Sequence, residues 1–405
     1  MANSVALTTS QRALLIGLAI DNFGSGLFLP LTLVYLTRES GLSLGTAGAV
    51  LAAATVLSLF APALVMRLIG TMGARQVVIA AQVIQACGLT IYLVSTGVAG
   101  AVLAAFLLAT GIQTFYSALL GLIAETAPEG PKDSAYAVVA MVRAGAFGMG
   151  TVTAGSALAL IAVVDLRVIA VADVATFLIA AGILAKFVHP DHSTEPRGHR
   201  GSSFASSSRE FLAVLLLCAL AALPIDFLLV GFPVFATDVL RTSPIVVGAT
   251  LAVSAVTSSV GGSLVIRLTD AWSRTRSIAV GIGGAMIWCA SLLTAQWLPA
   301  ALLPVWIPVS TAALSLGSML CTARISAMAE AAVPVEQRAR QLALLQYSFT
   351  AAQITAPLLA GQFEPIAAVP WLILLFTSVT ALALARWLGR RLGVAVTRPT
   401  APQAD

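Results

Sequence analysis

The chain has 405 residues, 59% of them hydrophobic and 10% charged, with a mean hydropathy of +0.97. Soluble domains carry about 45–50% apolar and about 25% charged residues, so this composition excludes a soluble enzyme or binding domain and indicates an integral membrane protein. The formal net charge of +5 does not mark a nucleic-acid binder, because the basic residues stand singly between apolar runs, where membrane topology explains them.

The first apolar run, residues 13–36, is long enough to cross a bilayer and too long for the core of a cleavable leader, so it is expected to be retained as the first helix. It carries Asp21 and Asn22 in its interior and is loosened by Gly24, Gly26 and Pro30. Nine residues beyond Arg12, at ~1.5 Å each, Asp21 lies ~13 Å deep, near mid-membrane. A carboxylate there costs a few kcal/mol even on insertion scales, so it needs a partner, a wet cavity or a proton.

Eleven further spans follow, at 44–66, 76–96, 99–123, 136–163, 166–188, 211–237, 245–266, 277–296, 299–323, 341–362 and 366–388. Between the sixth and seventh, residues 189–208 hold six serines, two prolines and all three histidines. This polar, flexible linker divides the chain into a six-helix bundle over 1–188 and a second over 209–405, the latter ending in a short tail. His189, His192 and His199 could hold a metal, but a solvated linker is the simpler reading, and no metal or cofactor is expected. The four cysteines fall inside apolar spans without metal-ligand spacing and read as small buried hydrophobes.

With a cytoplasmic N-terminus, 18 of the 22 basic residues lie inside or at inner helix ends. Three (Arg38, Arg167 and Arg241) lie outside, and Arg143 sits within the fifth span. That bias places both termini and the linker in the cytoplasm of a plasma-membrane protein. The halves also repeat: shifted by 200 positions without gaps, residues 43–68 match 243–268 at 11 of 26 positions, including Val-x-Arg-Leu at 65–68 and 265–268. Two six-helix repeats in parallel orientation suit a transporter that rocks around a midplane site.

In these features the chain resembles the major facilitator superfamily and, within it, the drug/proton antiporter branch, over roughly residues 10 to 390. The family's loop after helix 2 reads Gly-x-Leu-Ala-Asp-Arg-x-Gly-Arg-Arg. Here the stretch from Met66 to Arg75 keeps Leu68, Gly73 and the final Arg75, carries Gly70 where the family has the acid and lacks the motif's first Arg, with Arg67 standing near its start. The second copy, Ile266 to Thr275, keeps Asp270 and Arg274. The resemblance implies a gating role for Arg67, Gly73, Arg75, Asp270 and Arg274. The antiporter signature of helix 5 is approximated by Gly150-Thr151-Val152-Thr153-Ala154-Gly155, and helix 11 has Ala356-Pro357-Leu358-Leu359-Ala360-Gly361. Small residues at this spacing are expected to let helices of opposite halves approach closely.

Three acids lie deep in spans: Asp21, Asp173 and Asp226. The resemblance implies that helices 1, 4, 7 and 10 line the cavity while 3, 6, 9 and 12 support it. Asp21 and Asp226 are therefore the candidates for proton coupling, and Asp173 is expected to tie helix 6 to a neighbour. No histidine lies in a span, so a proton carrier would be a carboxylate whose charged form burial disfavours. A permanent pair with Arg143 would hold Asp21 charged and leave Asp226 the better carrier; the sequence leaves both arrangements open. Polar and aromatic residues at helical spacing mark further candidates for substrate binding beside Asp21, Asn22, Arg143 and Asp226. These are Gln113 and Tyr116 on helix 4, Trp306 and Thr311 on helix 10, and Gln346, Tyr347 and Gln353 on helix 11. Such a cavity suits an amphipathic organic compound better than a sugar.

No Gly-rich loop ending in Lys-Ser/Thr is present, nor a nucleophile elbow or His-Glu-x-x-His, so ATP-driven pumping and membrane hydrolysis are not expected. The sequence thus predicts an all-α integral membrane protein of twelve helices in two pseudo-symmetric bundles, acting as a monomer in the lipid bilayer. Its expected function is exchange of protons for a small amphipathic molecule by alternating access. Uptake of a metabolite and a transport-silent membrane sensor are the alternatives.

Overall fold

The computed structural model describes residues 8–95, 97–126, 133–159, 165–189, 209–261, 265, 268–269, 271–331, 338–364 and 366–392. These residues are helical with short connections, and among them there is no strand. Contacts divide the chain into two compact units, Met1–Arg200 and Gly201–Asp405. The division falls within the stretch read as a linker, of which residues 190–208 lie outside the described set.

The first unit contains α1 (Thr9–Arg38), α2 (Leu44–Met72), α3 (Ala74–Val94), α4 (Val98–Thr126), α5 (Asp133–Ala159) and α6 (Leu166–Phe187). The second contains α7 (Arg209–Val230), α8 (Pro244–Val256), α9 (Arg274–Ala295), α10 (Leu303–Ala331), α11 (Arg338–Ala360) and α12 (Val369–Arg391). Helices therefore stand at all the places where spans are predicted, but nine of those described are long and apolar enough to cross a membrane. α8 falls short at 13 residues, although an irregular turn, Thr257–Gly261, extends it. α11 carries Arg338, Arg340 and three glutamines, which lowers its apolar character, and several side chains of α5 lie outside the described set.

The two units pair their helices alike. In the first, α3 packs on α4 and α6, α1 on α5 and α6, and α2 on α4; in the second, α9 packs on α10 and α12, α7 on α11 and α12, and α8 on α10. Local signals recur as well. Ser43 caps α2 by accepting from the Thr46 N–H, and Ser243 caps α8 by accepting from the Ile245 N–H. α2 is interrupted by a tight 3-10 turn at Ser58–Phe60, and the wider π turn at Thr257–Gly261 stands at the corresponding place in the second unit.

Lipid tails are as apolar as leucine, so these helices associate through close packing rather than through exclusion of water. Glycines make the approach possible. A methyl at Gly26 of α1 would strike the Phe147 carbonyl of α5, and one at Gly150 of α5 would strike the Phe23 carbonyl of α1. The two glycines thus mark a crossing of α1 and α5 inside the first unit. The described partner of Gly150 belongs to its own bundle. Gly281 and Gly317 play the same part between α9 and α10.

The buried cores hold Leu14, Leu18, Val78, Leu119 and Leu184 in the first unit, and Phe211, Leu217, Ile278 and Met328 in the second. The second unit adds an aromatic cluster about the fully buried Trp371, whose ring lies 4.7 Å from Phe235 and 5.3 Å from Trp288. Cys218, Cys289 and Cys321 are buried as expected, whereas Cys87 is exposed.

Candidate functional site

α1 begins with a capping box, in which Thr8 Oγ1 accepts from the Gln11 N–H and Gln11 Oε1 accepts from the Thr8 N–H. It runs unbroken to Phe28, then tightens into a 3-10 turn at Leu29–Leu31, where Pro30 cannot donate a helical hydrogen bond. Asp21 and Asn22 therefore sit in a continuous stretch of helix, and both are buried, at 4% and 5% exposure.

Two amides hold the Asp21 carboxylate. Gln82 Nε2, from α3, donates to Oδ1 at 2.9 Å, and Asn22 Nδ2 donates to Oδ2 at 3.1 Å. The same Asn22 nitrogen also donates to the Leu18 carbonyl at 2.8 Å, which fixes the amide's orientation. Its oxygen then faces α5, where Arg143 Nε donates to Asn22 Oδ1 at 3.3 Å. The guanidinium lies over Tyr116 of α4, 4.7 Å from the ring centroid, with Phe115 at 5.9 Å. Among the described residues Asp21 and Arg143 form no ion pair; Asn22 stands between them. A hydrogen bond to a charged group contributes about 1.5–3 kcal/mol, so the chain Gln82–Asp21–Asn22–Arg143 couples three helices firmly.

Gln82 is fully buried and its Oε1 has no hydrogen-bond partner among the described residues. It is the site residue that the sequence reading missed, because the resemblance assigned helix 3 to support. An amide deep in a span was the available signal. Asp173 of α6, 2% exposed, accepts from Thr176 Oγ1 at 3.0 Å and lies with Thr176 against Gly24, one turn beyond Asp21 on α1. Its link to α1 is therefore one of close packing rather than a hydrogen bond.

The other candidates are dispersed. Gln113 is buried in α4, and Tyr116 is exposed under Arg143. In α10, Thr311 Oγ1 accepts from Trp288 Nε1 at 3.0 Å and donates to the Ile307 carbonyl, and Trp306 Nε1 donates to the Ser291 carbonyl at 3.2 Å. Both residues thereby tie α10 to α9. On α11, Tyr347 and Gln353 are exposed, and the Gln346 side chain lies outside the described set. Asp226 is half-buried in α7 and has no hydrogen bond or ion pair among the described residues.

At the other end of the first unit, Gly73 joins α2 to α3 with φ +83°, a left-handed conformation that glycine adopts without strain. Arg75 donates from Nε to the Leu184 carbonyl at 3.1 Å and from Nη2 to the Ala185 carbonyl, closing the C-terminal end of α6. Glu125, just past the apolar part of α4, accepts from the Ala74 N–H at the start of α3, and burial holds its carboxyl above the ordinary glutamate range. Arg67 is exposed, Arg274 opens α9 behind its Ser273 cap, and Asp270 lies outside the described residues.

Residues 14–324 match the family model described as Major Facilitator Superfamily. The chain belongs to the major facilitator superfamily. As a member it is a multi-pass membrane transporter of small molecules and not an enzyme. It matches no curated protein sequence. Among solved structures it is similar to the nucleoside transporter NupG, at 14% identity and a TM-score of 0.73, over 93% of this chain and 99% of that one. It is similar also to the peptide transporter POT in complex with sulfate, at 12% identity and a TM-score of 0.73, over 98% and 97% of the two chains. A POT family transporter in complex with a thioalcohol-conjugated peptide gives 11% identity and a TM-score of 0.69, over 94% and 95%. At such identities these likenesses describe the superfamily fold and nothing of the cargo.

Proposed function

We propose that this transporter is a secondary carrier that exports a small amphipathic organic compound in exchange for protons, by alternating access. The observation that carries the reading is the setting of Asp21: a buried acid in the first span, bound by two neutral amides and unpaired with a cation among the described residues. Amides stabilise a carboxylate through their N–H donors without imposing a fixed positive charge, so the acid stays free to take up and release a proton as the helices rearrange. Asn22 supports this by receiving Arg143 in place of Asp21. Asp226 is a second candidate carrier, and Arg67, Gly73, Arg75, Asp270 and Arg274 are candidate gating positions. The excess of basic residues at one set of helix ends supports cytoplasmic termini in the plasma membrane.

Proteoliposomes containing the purified protein test the reading. An imposed pH gradient is expected to drive flux of compounds from an amphipathic panel and to collapse with it. Asp21→Asn is expected to abolish pH-driven accumulation while leaving exchange of labelled for unlabelled compound intact. Gradient-driven transport by Asp21→Asn at the wild-type rate would falsify the assignment of Asp21 as the coupling acid.

A further inference from the structure

We infer that Arg143 is an anion receptor, so that the compound carried by this protein bears a carboxylate or similar oxyanion on an aromatic or apolar body. The inference rests on the transport reading above and adds the chemical class of the cargo. A guanidinium presents five N–H donors and no acceptor. Here one of them, on Nε, reaches Asn22 Oδ1 at 3.3 Å, and among the described residues the two terminal nitrogens meet no acceptor and no carboxylate. A cation so placed within a membrane span requires a counter-charge.

Asp21, which feels Arg143 through space, does not take up its donors. Both oxygens of Asp21 are engaged by the amides of Gln82 and Asn22, and Asn22 turns its nitrogen to Asp21 and its oxygen to Arg143. The Leu18 carbonyl fixes that orientation by accepting from the same nitrogen. Asn22 therefore acts as a spacer between the guanidinium and the acid, which meet through space rather than as a direct ion pair. The planar fork that remains matches an oxyanion with two hydrogen bonds.

The surroundings suit the rest of such a molecule. Tyr116, which lies beneath the guanidinium at 4.7 Å, is 41% exposed, so part of its aromatic surface is open. Arg143 itself is half-buried, so an anion can reach it. Charge recognised by Arg143 and an apolar body resting near Tyr116 together select an organic anion over an amine or a neutral alcohol.

Three probes of one shape test this: 2-naphthoate, 2-naphthalenemethanol and 2-naphthylmethylammonium. They are titrated into the full-length detergent-purified protein at neutral pH, with binding read calorimetrically and as a rise in unfolding temperature. Inorganic sulfate is a fourth arm, carrying charge without the body. Naphthoate is expected to bind, the alcohol and amine at least about tenfold more weakly, and sulfate more weakly than naphthoate. Arg143→Gln is expected to remove the preference for the anion. Arg143→Lys, which keeps the charge without the fork, retains the preference at lower affinity and covers the case in which the Gln variant fails to fold. Equal or tighter binding of the amine, undiminished naphthoate binding in Arg143→Gln, or no naphthoate binding up to about 10 mM overturns the inference, the last corresponding to less than about 3 kcal/mol. Sulfate binding as tight as naphthoate overturns the aromatic part of it. Because no pH gradient is applied, loss of proton coupling in Asp21→Asn leaves this result standing, and a preference for the amine leaves proton coupling standing.

Discussion

Replacing Gly150 by alanine should disconnect the polar chain from a position that touches none of its members. A methyl at Gly150 would come within 2.9 Å of the Leu27 nitrogen and 3.0 Å of the Gly26 carbonyl carbon. Comfortable contact between such atoms is about 3.5–4.0 Å, so α1 and α5 must part by roughly 1 Å. Those two helices carry Asn22 and Arg143, whose hydrogen bond is already 3.3 Å long. A further ~1 Å takes it beyond hydrogen-bonding range. Overpacking of this kind costs about 1–3 kcal/mol. For a unit of the size of Met1–Arg200, each kcal/mol moves the midpoint by about 2–4 °C, which predicts a fall of about 2–12 °C. The measurement is thermal unfolding of the purified protein, with Gly145→Ala as the internal control. Gly145 lies on the same helix with nothing within 4 Å of an added methyl, so that change should be neutral or stabilising by up to about 1 kcal/mol. If the two alanine variants unfold at the same temperature, the close crossing of α1 and α5 is wrong.

Three other outcomes are expected. Glu125→Gln should raise the unfolding temperature at pH 7–8 and flatten its dependence on pH, as read by melts across pH 4 to 8. Burial raises this carboxyl's folded pKa, so its contribution is most favourable at acid pH and is lost as pH rises through the folded value; an amide keeps the bond from the Ala74 N–H without the charge. Arg75→Ala removes two donors from the end of α6 and should cost about 2–4 kcal/mol in a denaturation series, whereas a variant within about 0.5 kcal/mol of wild type would deny Arg75 that anchoring role. Arg167→Ala breaks the 3.1 Å pair with Glu39, whose side chains are 52% and 26% exposed, and should change stability by less than about 1 kcal/mol.

Helix positions were legible because hydrocarbon demands runs of about 20 apolar residues, and the polar stretches between them have few alternatives. Asp21 was legible for the converse reason: a charge within such a run is costly enough to stand out. What joins it to its neighbours was not. Whether Asn22 would bridge Asp21 and Arg143 depends on the azimuth at which α5 crosses α1, and that is set by the meeting of Gly26 and Gly150 rather than by any polar pattern. Gln82 escaped notice because the resemblance assigned helix 3 to support, although an amide within a span was a signal. Arg75 carried a motif's signature, yet its described contacts are the terminal carbonyls of α6, which only coordinates reveal.

The interruptions in the second helix of each unit bear on how far the internal repeat extends. A 3-10 turn advances each residue by ~120° against ~100° in an α-helix, so Ser58–Phe60 overwinds its copy by ~60°, while the π turn at Thr257–Gly261 underwinds the other. Beyond these turns, residues matched in sequence differ in burial: Val65 is 1% exposed, but its counterpart Val265 is half-buried. Duplication has kept each residue's height along the helix and let its compass bearing drift.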